Sequence, residues 1–303
     1  MINILSPVTK SHKTSKICSF HAKKIIQLYE EIGLDVSRFF QMDDVYLMKC
    51  QKTGYRFYYP FISIGDASFY EDLSKNRSSY YSSRWEHYIA MEFLEIEDKV
   101  LEIGSGYGKF LKILKVQGVK ELKGIEINPD AVRYCQEENL NVETQRIENE
   151  SIDLTERYNA ICSFQVLEHI WDINSFINSA INLLEPKGKI IFGVPNNNPF
   201  LFMHDKFHTL NLPPHHAGLW NKKSLKNLEK VFPLKLISLK FEPLEKTYSA
   251  FLGVQLVNNP YSLIRLLLSV FNKIAPSLLK QFICYFFNGR NIVAVFEKTE
   301  HNN

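Results

Sequence analysis

The chain has 303 residues, of which 45% are hydrophobic and 23% charged, the balance of a folded globular protein and not of a disordered or fibrous one. Thirty-six Lys and Arg against 33 Asp and Glu leave +3, and without a long basic run they offer no footprint for nucleic acid. The five cysteines (Cys18, Cys50, Cys135, Cys162, Cys284) are odd in number and scattered, and the start MINILSPVTKSHK lacks a signal peptide's apolar stretch, so a reduced, cytoplasmic protein is expected.

Residues 1–80 are rich in Tyr, Phe and Ser. Within them TGYRFYYPF carries Tyr55, Phe57, Tyr58 and Tyr59, which alternate too little for a clear strand and read as core of a small cap. The segment SSYYSSRWEHYIAMEFL follows, with Tyr80, Tyr81, Arg84 and Trp85 leading into a helix that feeds the first strand. From Lys99 short apolar runs alternate with longer amphipathic ones, the pattern of a parallel sheet covered by helices. Strands are predicted at 100–103, 122–127, 142–145, 158–164 and 189–194, with helices at 107–116, 129–138 and 173–184 between them. Pro129 stands where a first helical turn tolerates it. A helix at 224–231 and strands at 234–241 and 291–297 complete one α/β domain, 81–303.

Between the last two strands, Leu263, Leu266, Leu267, Val270, Phe271 and Ile274 recur at helical spacing opposite Ser262, Arg265, Ser269 and Lys273. The insertion, 260–288, is therefore helical and amphipathic. Arg265, Asn272, Lys273, Pro276 and Lys280 break it, so no run reaches the roughly 18 apolar residues of a spanning helix. Such helices cover a sheet edge, form a homodimer, or rest on a membrane surface; packing or dimerisation is the commoner use.

The first strand of the α/β region ends in Glu102 and runs into Gly104, Ser105, Gly106, Tyr107 and Gly108 before a helix begins. Glycines there let the backbone turn sharply and approach a ligand, while the helix start offers free N–H groups. Lys109 stands where the dinucleotide fingerprint has its third glycine, which weakens a pyrophosphate reading. Glu126, in GIEIN, closes the next strand about 20 residues beyond Gly106, where a carboxylate accepts both ribose hydroxyls of an adenosine cofactor.

With these residues in place, 100–196 resembles a class I methyltransferase dependent on S-adenosylmethionine (SAM), similar to the methyltransferase domain 23 group. The resemblance implies a Rossmann-like seven-stranded sheet with helices on both faces. It implies that Glu102 lies near the cofactor's methionine amino group, that the glycines with Ser105 and Tyr107 line its carboxylate and ribose, and that Glu126 and Ile127 hold the ribose. By the same comparison the adenine lies near Arg146, Ile147 and Glu148, and Gln165 beside the methionine end. SFQVLEHIWD matches the segment after the fourth strand, and LLEPKGKIIFGVPN the turn and fifth strand. Relatives of this kind often begin with a zinc ribbon, of which KCQKTGYRFYYP looks like a remnant; Cys50 remains, Thr53 replaces a second ligand, and Cys18 with His21 would supply an earlier pair. Three candidates are not four, so no zinc is expected.

Methyl transfer from a sulfonium is an in-line displacement, so an enzyme mainly aligns a nucleophile and, for a hydroxyl, removes its proton. His169 in LEHI is one candidate base. His215 or His216, in FHTLNLPPHHAGLW after the fifth strand, is the other. His204, Asp205, His208, His215 and His216 match no usual zinc spacing, and no metal is expected. The fourth strand continues FQVLEH instead of the Asn/Asp-Pro-Pro-aromatic motif of amino methyltransferases, which disfavours nucleic-acid or protein N-methylation. The expectation is thus methyl transfer to a small-molecule or glycan acceptor at oxygen. The alternatives are a quinone-type O-methyltransferase with a lipophilic acceptor, a SAM-fold scaffold, and, more weakly, a nicotinamide oxidoreductase.

Overall fold

The computed structural model describes residues 4–75, 84–150, 156–197 and 205–300. Tyr80, Tyr81, His204 and the expected domain boundary at 80–81 lie outside the described residues. The chain opens with β1 (Thr14–His21), α1 (Ala22–Glu30), β2 (Asp44–Cys50), β3 (Arg56–Tyr59), α2 (Ala67–Lys75) and α3 (Trp85–Met91). Alternating elements follow: β4 (Lys99–Ile103), α4 (Lys109–Val116), β5 (Glu121–Glu126), α5 (Pro129–Glu137), β6 (Val142–Thr144), α6 (Ile147–Glu150), β7 (Tyr158–Phe164), α7 (Ile173–Leu183) and β8 (Leu184–Pro195). The remainder is β9 (Gly218–Leu219), α8 (Lys222–Lys226), β10 (Leu234–Pro243), α9 (Tyr248–Asn258), α10 (Ser262–Ile274), α11 (Pro276–Phe286) and β11 (Asn288–Lys298).

The seven-stranded sheet has the order β10-β11-β8-β7-β4-β5-β6. β6, β5, β4, β7 and β8 run parallel, whereas β11 is antiparallel to both its neighbours. Both faces of the central strands are covered, so their sequences read as continuous apolar runs. On one face Leu101, Ile103, Ile161 and Ile190 join the core with Phe176 and Ile177 of α7. On the other Val100, Ala160, Cys162 and Ile191 pack against Phe110 and Leu114 of α4. The chain runs from β4 outward to β5 and β6, then returns to place β7 on β4's other side. The loops after β4 and β7 therefore part, opening the crevice where such sheets bind ligands.

The smaller sheet is antiparallel with the order β1-β2-β3-β9. Here the sequence expectation fails, since residues 56–59 do form a strand. Phe57 packs into the main core with Met48, Cys50, Tyr55 and Trp220, while Tyr58 points the other way, among Tyr29, Val45, Leu47 and Leu219. A strand buried on both faces has no polar side to alternate with. α9 was also missed, because Phe251, Leu252 and Leu256 stand among further apolar residues with little sidedness.

The insertion is a pair of helices, α10 and α11, and of its three expected uses the covering of a sheet edge is not the one its stripe serves. Leu263, Leu266, Leu267, Val270, Phe271 and Ile274, the apolar stripe, are 41–77% exposed, and α10 buries no residue fully. Its contacts are made instead by Leu268, with Leu279, Ile283 and Cys284 of α11, against Tyr248, Phe251 and Leu252. Among the described residues no helix is long and apolar enough to cross a membrane.

Candidate active site

A cavity of about 760 Å³ lies over the carboxyl ends of β4, β5, β7 and β8, within the size range of small-molecule and cofactor sites. Its floor begins with Glu102, 3% exposed. Oε2 of this carboxyl has no hydrogen-bond partner among the described residues. Burial first, then the Glu126 charge, pushes its pKa well above the usual carboxylate range. A cationic ammonium brought against it restores the ionised form, so the site fits the amino end of an amino-acid-bearing cofactor.

Gly104 sits at φ +74, and a Cβ on it would lie 2.3 Å from Cγ2 of Val166. Position 104 therefore excludes a side chain on both backbone and steric grounds. Gly108 is different, for it does not line the cavity. It precedes α4 at φ +67, where a Cβ would meet Leu140 Cδ1 at 2.4 Å, so its part is packing. Glu126 Oε2 accepts the Gly106 N–H at 2.9 Å, and Oε1 those of Ile127 and Asn128 at 2.7 and 2.9 Å. The carboxylate thus clamps the glycine loop to the end of β5. Of roughly four acceptor positions on a carboxylate three are used, so holding both ribose hydroxyls requires it to release an amide. Ser105, Gly106, Tyr107, Ile127, Ile147 and Glu148 stand on the cavity wall, Ile147 buried and Ile127 42% exposed.

Gln165 follows β7 at φ +55. Its Nε2 donates to Glu86 Oε1 at 2.8 Å and to Asn291 Oδ1 at 3.3 Å, and Asn291 Nδ2 donates to Glu242 Oε2 at 3.0 Å. Sequence reasoning missed Glu86, Glu242 and Asn291; α3, β10 and β11 bring them to Gln165 from distant parts of the chain, and no local spacing announces it. Burial raises the pKa of both Glu86 and Glu242. Arg84 also lines the cavity, whereas Trp85 packs into the core beside α4.

The opposite wall holds three histidines. His169 Nδ1 lies 2.6 Å from the His215 carbonyl oxygen and 3.2 Å from the Tyr70 hydroxyl, which donates to the same carbonyl at 2.9 Å. A carbonyl only accepts, so Nδ1 carries the proton and Nε2 keeps its lone pair. The ring centroids of His169 lie 4.8 Å from those of His215 and 5.1 Å from those of His216, and His215 stacks on His216 at 4.6 Å. Burial pulls the His169 pKa down to about 4. The His216 pKa falls well below the ordinary value, chiefly by burial and then by its histidine neighbours. Both are uncharged at neutral pH. His169 Nε2 is 3.8 Å from Glu168 Oε1, and burial raises that carboxyl to about 8, so the contact joins two neutral groups and is no ion pair. Tyr70 and Glu168, like Glu86, were not singled out in the sequence.

Each of the three histidines offers a nitrogen, and these atoms lie within 4.8 Å of one another, a set able to take a divalent cation. Among the described residues no group of three or more His, Cys, Asp or Glu gathers around Cys18, Cys50 or His21. Asp205 and His208 stand on the cavity wall without joining the cluster. Glu102, Gly104, Ser105, Gly106, Tyr107, Glu126, Ile127, Ile147, Glu148 and Gln165 thus face one cavity with His169, His215 and His216.

A family model described as a methyltransferase domain matches residues 75–239. The ubiquinone biosynthesis O-methyltransferase of Pseudomonas fluorescens is similar, with 24% identity over 171 residues, covering 50% of this chain and 71% of that protein. The same enzyme of Pseudomonas savastanoi pv. phaseolicola is 25% identical over an alignment of equal length and coverage. A SAM-dependent methyltransferase structure from Archaeoglobus fulgidus covers 77% of this chain and 100% of its own, with 19% identity and a TM-score of 0.49.

Proposed function

Since the chain belongs to this family of SAM-dependent methyltransferases, matched over 75–239, we propose that it methylates a hydroxyl oxygen of a small-molecule or glycan acceptor. SAM supplies an electrophilic methyl carbon on a sulfonium. The protein's part is to seat the amino end of that cofactor against Glu102, its ribose against the Glu126 clamp and its adenine near Ile147 and Glu148. Gln165, tied to Glu86 and Asn291, borders the methionine end.

One observation carries the reading at oxygen: His169 faces the cofactor cavity with its Nδ1 proton committed to the His215 carbonyl, leaving Nε2 as the acceptor of a proton. A hydroxyl brought to Nε2 can lose its proton as the new C–O bond forms. Burial keeps the imidazole uncharged before the reaction, and His215 and His216 close that end of the pocket. An amine acceptor gains less from a base, because its lone pair is already free at a suitable pH.

The relatives' printed activity in ubiquinone biosynthesis favours a second reading, in which the acceptor is a lipophilic, quinone-type phenol. Incubating the enzyme with methyl-labelled SAM and an extract of its own cells, then partitioning the label between lipid and aqueous phases, separates the two. Label in water-soluble sugar or metabolite supports the first, and label in the lipid phase the second. Label located on nitrogen or carbon of the product in either phase overturns transfer to oxygen.

A further inference from the structure

The helix pair α10–α11 presents an apolar surface that nothing among the described residues covers. Twelve large hydrophobic side chains between Tyr261 and Phe286 are at least 40% exposed, among them Leu266, Phe271, Ile274 and Phe282. Scattered exposed apolar residues are ordinary, but a contiguous set on one supersecondary unit marks a binding surface. Charge identifies the partner. From Lys246 to Phe296 the sequence contains no Asp or Glu, whereas the pair carries Arg265, Lys273 and Lys280, and both lysines are exposed. A second copy seated on this face would bring these cations towards their twins with no carboxylate in the segment to answer them. An anionic lipid surface answers them directly, and Tyr261 and Tyr285, 66% and 83% exposed, are the residue type that settles at a headgroup boundary.

Topology places this surface by the cavity mouth. β10 runs parallel to β8, so it ends at the same edge of the sheet as the cavity; α9, α10 and α11 leave from that edge, and β11 returns there with the cavity-lining Arg290 and Asn291. We propose that α10 and α11 lie in the interface of an anionic membrane, holding the enzyme with its cavity beside the bilayer. Neither helix spans it; their apolar side chains enter the acyl boundary while Lys273 and Lys280 meet lipid headgroups. The inference concerns attachment and holds whichever acceptor is methylated.

The test is flotation of the full chain with vesicles of phosphatidylcholine alone and with about 30% phosphatidylglycerol added. The wild type is expected to float with the anionic vesicles, less with the neutral ones, and several times less in about 0.5 M salt. Leu267→Glu/Phe271→Glu is expected to float at least tenfold less while keeping wild-type affinity for S-adenosylhomocysteine (SAH), which shows that it folds. Because binding is read without turnover, a failed methylation assay leaves this test intact. If the wild type fails to float, or if sedimentation shows a dimer that the double substitution splits while vesicle binding stays weak, the proposal is overturned.

Discussion

The two halves of the cavity are built by different means. The half proposed for the cofactor comes from consecutive strands: the ends of β4 and β5 are neighbours in the sheet, and Glu126 is hydrogen-bonded to Gly106, 20 positions earlier. The half proposed for the acceptor is assembled from remote pieces. Tyr70 on α2, His169 after β7 and His215 before β9 meet at one carbonyl oxygen, with 99 and 145 positions separating Tyr70 from the two histidines. One half is thus a property of the sheet, and the other of loops laid across it. Changes in the first should act on cofactor affinity and changes in the second on turnover.

The largest expected effect is on turnover. His169→Asn removes the Nε2 lone pair and should lower kcat by about 10²- to 10⁴-fold, measured as initial rate of labelled methyl transfer. Gly104→Ala comes next, because a side chain at φ +74 meets Val166; it should cost about 2–3 kcal/mol of stability in denaturant titration. Combining it with Val166→Ala should recover the steric part and leave about 1 kcal/mol of backbone cost. Glu126→Ala frees three amides at the loop and should weaken SAH about 10- to 100-fold, with a lowered Tm from the lost clamp. Tyr70→Phe, which removes one of two donors to the His215 carbonyl, should cost kcat only about fivefold.

The smallest effect is the most diagnostic of a dry acceptor half. His169, the proposed base, is uncharged, and its depressed pKa keeps it so as pH falls until about 4. The acid limb of kcat/KM should therefore have its midpoint near pH 4, below the ordinary histidine value of about 6.5. A midpoint near 6.5 would mean that water reaches the cluster.

What the sequence made legible follows the same division. The glycine loop, Glu126 and the helix-strand alternation are local patterns, and the α/β class of the large sheet follows from them. β3 was hidden because Phe57 and Tyr58 are buried on opposite faces, and a period of two appears only where one face is wet. His169, His215 and His216 could be named as residues, but their gathering depends on how the segment around 205–217 crosses the loop after β7, which no spacing records. Glu86 was invisible for the same reason, since its partner Gln165 lies 79 positions away. The α10 stripe is legible as amphipathic, but its partner is not, because periodicity tells which residues share a side and not what that side faces.

The division of the cavity is tested most directly by calorimetric titration of SAH into the wild type, Glu126→Ala and His169→Asn under one set of conditions. The structure predicts that Glu126→Ala binds at least about tenfold more weakly than the wild type, while His169→Asn binds within about threefold of it. Equal weakening in both variants would contradict a cavity whose cofactor and acceptor halves are separately built.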